Sequence, residues 1–269
     1  MGYKPVSEPA KINVYHHTGS SRLPVVFITG AGKRLGRAMA LYFARKGWNV
    51  GVHYHTSHDG ALQTVRQINV IGDATLGQRG IALKADVRSK SQMEHAFEMT
   101  MREFNSPPDV LINNAGIFPP PVSLQNITHE MWDETFSINL GGEFIAAQIY
   151  SAIAFENSRI INVASLGGLE VWKHRIPYNV SKSAVIHLTK ALARELAPRI
   201  SVNCVCPGAI AIPDEPSDSD SAMIARSPIP IQRHGSPDDI CSAVYFFATC
   251  SPYITGQILS VDGGYHDAR

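Results

Sequence analysis

The stretch Val25-Val26-Phe27-Ile28-Thr29-Gly30-Ala31-Gly32-Lys33-Arg34-Leu35-Gly36 joins a short apolar strand to a glycine-rich turn and then to a helical pattern. Glycines in such a turn permit the tight reversal and let a ligand come close to the backbone. The unpaired amides at the start of the following helix, with the positive end of its dipole, suit a pyrophosphate. Alone, the stretch is also compatible with an ordinary strand-to-helix turn, so the chain on either side has to decide.

Further short apolar runs follow at Val50–Val52, Ile81–Leu83, Val110–Ile112, Ile160–Val163, Val202–Val205 and Ile258–Val261. Helical patterns lie between them at about Leu35–Lys46, Ala61–Ile68, Gln92–Phe104, His129–Phe155, Tyr178–Leu196 and Asp238–Thr249. Gly47 stands where the first helix needs a left-handed cap. Strands alternating with helices predict an α/β protein: a Rossmann-type, doubly wound parallel sheet of about seven strands with helices on both faces. Right-handed crossovers then put the ligand crevice outside the carboxyl ends of the strands.

The chain has 269 residues, of which 44% are hydrophobic, enough for one large core. Residues 1–22 lack a sustained period and read as an N-terminal extension, and residues 23–269 as one α/β domain. The Pro/Ser/Asp-rich insert Pro213–Pro230 after the sixth strand is placed to act as a lid. A formal net charge of +1 with interleaved signs excludes an extended surface for nucleic acid. Cys204, Cys206, Cys241 and Cys250 lack zinc-ligand spacing, and His16-His17 has no carboxylate or cysteine cluster beside it, so no metal is expected. The cysteines read as buried free thiols. No run of about 18 apolar residues is present, and a cytoplasmic protein without membrane attachment is expected.

Tyr178 and Lys182 are four residues apart on a predicted helix, hence on one face. A phenol with a pKa near 10 is a poor acid or base at neutral pH, and a neighbouring ammonium lowers it toward the working range.

Thr29-Gly30…Gly36, Asn113-Asn114-Ala115-Gly116, Tyr178-Asn179-Val180-Ser181-Lys182 and Pro207-Gly208 occur in this order. In these motifs the chain resembles the short-chain dehydrogenase/reductase family from Leu23 to the C-terminus. It departs at the middle glycine of the first motif, where it has Arg34. The resemblance implies an oxidoreductase with Tyr178 as general acid/base, supported by Ser165, Lys182 and Asn139. Ser165 is expected to fold its hydroxyl beside the phenol and polarise the reacting oxygen. The Asn139 backbone carbonyl would hold a water that links Lys182 to solvent. Lys182 would also bind the nicotinamide ribose. Asn114, Ala115 and Gly116 would cover the adenosine side, Asp86 and Val87 would contact the adenine, and Pro207, Gly208 and Ile210 would hold the carboxamide.

The cofactor is read from charge. The second strand runs out through His55, Thr56 and Ser57 with no acid to repel a 2′-phosphate, while Lys33 and Arg34 supply cations, beside Leu35 and Gly36 of the turn. NADP(H) is expected. For the substrate, Arg34 and Phe118 are similar to features of pteridine reductases, in which an aromatic ring stacks on the pterin. Ser165, however, stands where those enzymes carry aspartate, and serine suits a carbonyl or alcohol oxygen. A small carbonyl substrate in the manner of 3-oxoacyl reductases is therefore favoured, with Phe118 and Trp172 near Ser165 and Tyr178. Reduction of a dihydropterin is the alternative, and a non-catalytic NADP-binding sensor is a second. Similarity to the family also implies a homotetramer that pairs the two long helices and the last strand.

Overall fold

A computed structural model describes residues 22–212 and 229–266. The segment 1–21, with His16-His17, lies outside the described residues, as does 213–228, most of the expected lid.

Seven strands, β1 (Val25–Ile28), β2 (Asn49–Tyr54), β3 (Gly80–Lys84), β4 (Val110–Asn113), β5 (Ser158–Val163), β6 (Ile200–Pro207) and β7 (Ile258–Val261), form one sheet in the order β3-β2-β1-β4-β5-β6-β7. Every pairing is parallel, as the alternation of strands and helices predicts. The chain winds outward from β1 through β3, then returns to β4 on the other side of β1. The carboxyl ends of β1 and β4 therefore open a crevice between diverging connections.

Successive side chains of β1 go to opposite faces. Val26 and Ile28 join a core with Met39 and Phe43 of α1 (Arg34–Arg45), Ile68 of α2 (His58–Ile71) and Val244 and Phe247 of a C-terminal helix. Phe27 belongs to the other layer, where its ring stacks 4.3 Å from Phe97 of α3 (Lys90–Phe104) and Tyr150 closes the cluster. Gly47 has φ +85° after α1, the left-handed cap expected there, and Asn105 closes α3 in the same way at φ +50°.

The predicted helix His129–Phe155 is not continuous. It divides into α4 (His129–Phe136), a wide π-turn at Ser137–Gly141, and α5 (Gly142–Ile153). The cause is a commitment of Asn139 outside the helix. Its Oδ1 accepts from Ile117 N at 2.8 Å, and its Nδ2 donates to Ile117 O at 3.0 Å and to Ser181 Oγ at 3.1 Å. A side chain that clamps a neighbouring loop in this way accompanies a local widening of the helix. The last two helices are α6 (Ile176–Leu196) and α7 (Pro237–Thr249), the latter opened by a capping box between Ser236 and Asp239. Cys204, Cys206 and Cys241 are buried and free, while Cys250 is free but only partly covered, a correction to the expectation for that thiol. No helix of the described residues is long and apolar enough to cross a membrane.

At the amino ends of the adjacent interior strands β1 and β4, the nearly buried carboxylate of Asp109 accepts from Val25 N at 2.8 Å and from both terminal nitrogens of Arg22, at 2.8 and 2.7 Å. Truncation would leave a buried amide and a guanidinium without their acceptor. Asp109→Ala is expected to lower unfolding stability by about 3 kcal/mol, read as a fall in the urea midpoint with an unchanged m-value.

Candidate active site

The turn after β1 is built by close backbone approach. Gly30 has φ +66°, and its amide donates to His53 Nδ1 at 3.2 Å, while Ala31 N donates to His53 O at 2.8 Å. A Cβ on Gly36 would stand 2.2 Å from the Gly30 carbonyl oxygen, so only glycine lets α1 start this close to the strand. Gly32 is similarly confined, with its would-be Cβ 2.9 Å from Ser57 O. Arg34 occupies the left-handed region at φ +48°, the conformation a glycine would adopt freely. The first turn of α1 contains no acidic residue, so its amides face the crevice uncontested by a carboxylate.

Across the crevice, Thr29 Oγ1 accepts from Asn114 N at 2.9 Å and Ala115 N at 3.0 Å, and Asn114 Nδ2 returns to Thr29 O at 2.9 Å. The two strand ends are thus locked in register. Together they wall a cleft of about 320 Å³. Of the sequence-predicted cofactor residues, Gly30, Lys33, Arg34, Leu35 and Gly36 line it from the turn, and His55, Thr56 and Ser57 from the end of β2. Asp86, Val87, Asn114, Ala115 and Gly116 line it from the ends of β3 and β4. Asp86 is engaged by Arg88, whose Nη2 lies 2.6 Å from Oδ2, and that hydrogen bond holds its carboxyl below the usual carboxylate range. His55 adds a 3.8 Å contact to the same carboxylate.

Sequence reading missed Gly32, His53, Tyr54, Ile117 and Ile138 in this wall. A polar His53 inside an otherwise apolar strand was the available signal. Pro207, Gly208 and Ile210 are not part of the cleft lining. Pro207 pairs with Val261, Gly208 packs on Asp262, and Ile210 bridges to Gly235.

The other end of the crevice gathers the remaining residues. Phe118 sits edge-on to Tyr178 with ring centroids 4.5 Å apart, and Trp172 lies nearly parallel to Tyr178 at 6.2 Å. Arg175, not anticipated from sequence, places its guanidinium 4.0 Å over the Phe118 ring and donates to Pro119 O. Ser165 lies two residues beyond β5, and its Oγ accepts from Gly167 N at 3.0 Å. Among the described residues its hydroxyl forms no hydrogen bond to Tyr178. Ser165 caps the single helical turn Leu166–Gly168. Lys182 shares a helix with Tyr178, yet its ammonium is buried and turns inward, donating to Val163 O at 2.8 Å. A Cβ on Gly116 would be 3.6 Å from Lys182 Nζ and 3.2 Å from Asn139 Oδ1, so this glycine leaves room for both groups.

His53 is 1% exposed, and burial pushes its imidazole down to about 4. The unfolded chain therefore binds a proton that the folded chain refuses between about pH 6.5 and 4, and stability falls as pH drops through that window. The full effect is about 3 kcal/mol below pH 4. In His53→Asn, which keeps an acceptor for Gly30, this part of the pH dependence is expected to vanish from urea unfolding. Gly36→Ala is expected to abolish binding at the cleft while circular dichroism stays native, because the added methyl must displace the Gly30 backbone.

A family model described as enoyl-(acyl carrier protein) reductase matches residues 30–266. The chain is 34% identical over 245 residues to a 3-oxoacyl-[acyl-carrier-protein] reductase of Synechocystis, covering 89% of this chain and 96% of the relative. It is 35% identical over 250 residues to 3beta-hydroxysteroid dehydrogenase 1 of Eggerthella lenta, covering 89% and 92%. Among solved structures, a short-chain dehydrogenase from Burkholderia cenocepacia in complex with NADP aligns with a TM-score of 0.81 at 32% identity, covering 92% of this chain and 98% of the other. A switch-point crevice behind a glycine turn, a Tyr-x-x-x-Lys helix beside it, and these alignments along nearly the whole described chain lead to one conclusion: the protein belongs to the short-chain dehydrogenase/reductase family of oxidoreductases.

Proposed function

We propose that this chain is an NADP(H)-dependent reductase that transfers a hydride between nicotinamide and a small carbonyl or alcohol substrate. The observation that carries this reading is the charge at the adenosine end of the cleft: Lys33 and Arg34 line it, and among the described lining residues the one carboxylate, Asp86, is held by Arg88. A 2′-phosphate meets these two cations there and, among the described residues, no uncommitted acid. The NADP complex of the Burkholderia cenocepacia relative and the NADPH complex of a metagenomic blue fluorescent protein, 31% identical with a TM-score of 0.81, support the same choice.

The residues present fit such a cofactor. The close approach of Gly36 to Gly30 leaves the amides of the turn facing the cleft for a pyrophosphate. Asn114, Ala115 and Gly116 offer backbone to the adenosine side, and Asp86 and Val87 to the adenine. When bound, the cofactor supplies or accepts the hydride. Pro207, Gly208 and Ile210 would hold its carboxamide, just beyond the cleft described above.

Tyr178 donates the proton to the substrate oxygen in reduction, and the Ser165 hydroxyl polarises that oxygen. Ser165 Oγ accepts from Gly167, which leaves its O–H free to donate. Lys182 contributes positive charge behind the phenol and binds the nicotinamide ribose. Asn139, whose side chain is spent on Ile117 and Ser181, serves through its backbone carbonyl as the anchor of a water that returns protons to Lys182.

The 3-oxoacyl reductase relatives favour a carbonyl substrate, with Phe118, Trp172 and Arg175 beside Tyr178. The same aromatic cluster supports a second reading, reduction of a dihydropterin stacked on Phe118. Half-exposed Phe144 and Val180 on α5 and α6, and Phe246 and Leu259 on α7 and β7, supply two apolar surfaces for a homotetramer. A reducing cytoplasmic setting fits the free thiols.

Turnover of 3-oxoacyl thioesters and dihydrobiopterin, followed by NADPH and NADH oxidation, tests the reading. Carbonyl turnover with NADPH, at least about 100-fold lower in Tyr178→Phe, is the expected result; activity on pterins alone would move the assignment, and binding without turnover would leave a sensor. Lys33→Ala with Arg34→Ala is expected to raise KM for NADPH about tenfold or more while leaving KM for NADH nearly unchanged. Light scattering should report a tetramer.

A further inference from the structure

Glu143 lies on α5, one turn beyond Asn139 across the π-turn. Its side chain is 3% exposed, and its Oε1 stands 3.6 Å from Lys182 Nζ. Among the described residues, neither carboxyl oxygen has a hydrogen-bond partner. A buried carboxyl in that condition is costly unless a cation compensates it, and the cation facing it is Lys182. The Lys182 ammonium is thus held between this carboxyl and the carbonyl of Val163.

Given the assignment of Tyr178 and Lys182 to proton transfer, we propose that Glu143 is a positioning residue: it shares the charge of Lys182 and thereby sets the pH at which the Tyr178 phenol gives up or recovers its proton. With the carboxyl ionised, the pair is nearly neutral and the ammonium draws weakly on the phenolate. With the carboxyl protonated, the whole ammonium charge acts on Tyr178. Burial pushes Glu143 up to about 8, against the pull of Lys182, so both states are accessible in neutral to alkaline solution. The other groups that face this pair are the thiols of Cys204 and, 3.9 Å from it, Cys206 on β6. Asn113 of β4 contributes only a neutral amide, which donates to the Glu143 carbonyl at 3.4 Å. Arg175 is the charged group on the far side of Tyr178.

Glu143→Gln imitates the protonated carboxyl at every pH. In the alcohol-oxidation direction, where the phenolate acts as base, the part of the kcat profile above about pH 8, where the wild-type carboxyl is ionised, is expected to move to lower pH by about one unit, with the Kd for NADPH changed less than about threefold. Glu143→Asp, which keeps the charge, should restore most of the wild-type profile. Turnover lost in Lys182→Met together with an unmoved profile in Glu143→Gln would overturn the role of Glu143 alone; turnover retained in Lys182→Met would remove the assignment on which it rests. Should Glu143→Gln not fold, infrared difference spectra of Lys182→Met against wild type read the carboxyl directly. With the spectra taken above pH 8, where the wild-type carboxyl is ionised, a protonated-carboxyl band gained on loss of the ammonium supports the pairing, and an unchanged carboxyl region overturns it.

Discussion

The clamp between Thr29 and Asn114 is the constraint on which the site depends. Thr29 follows β1 and Asn114 follows β4, the two strands between which the order of the sheet reverses. Three hydrogen bonds tie those ends together at the point where their connecting segments diverge. Parallel strands alone would leave this end of the sheet loose, because each ladder stops where its crossover begins. The clamp fixes the glycine turn against the Asn114–Gly116 segment, and the spacing between them is the width of the cleft. A methyl group on Gly36 would meet both the Gly30 carbonyl and Asn114 Nδ2, so one small residue serves the turn and the clamp together.

Burial around this clamp decides the charge of several groups. His53 accepts from the Gly30 amide and remains neutral because it is enclosed. Asp86 is ionised at the cleft mouth and answered by Arg88. Lys182 and Glu143 are both buried beneath the site, where water contributes little screening. Around the cleft, Lys33 and Arg34 line the wall and Asp86 is answered by Arg88.

Much of the architecture follows from sequence because hydrophobic period and turn chemistry are local. All seven strands, the parallel sheet, the cap at Gly47 and the turn at Gly30–Gly36 can be read from neighbouring residues. The break in the predicted helix His129–Phe155 cannot, since it arises from Asn139 reaching Ile117, 22 positions away. The inward turn of Lys182 is of the same kind, as its partners belong to β5 and α5. Arg175 escaped notice because its meaning depends on the ring of Phe118, on a different connection.

What the sequence by itself determined was the family, the order of the elements and the residue types at the motifs, all properties of short segments and their spacing. Only the tertiary structure decided which polar atoms are spent and which remain available. It assigned Ser165 to the cap of Leu166–Gly168, the Asn139 side chain to a loop, and Glu143 to the lysine of the Tyr-x-x-x-Lys helix. The physical reason is that hydrogen bonding and desolvation depend on distance through space, and folding brings together groups that the chain holds far apart.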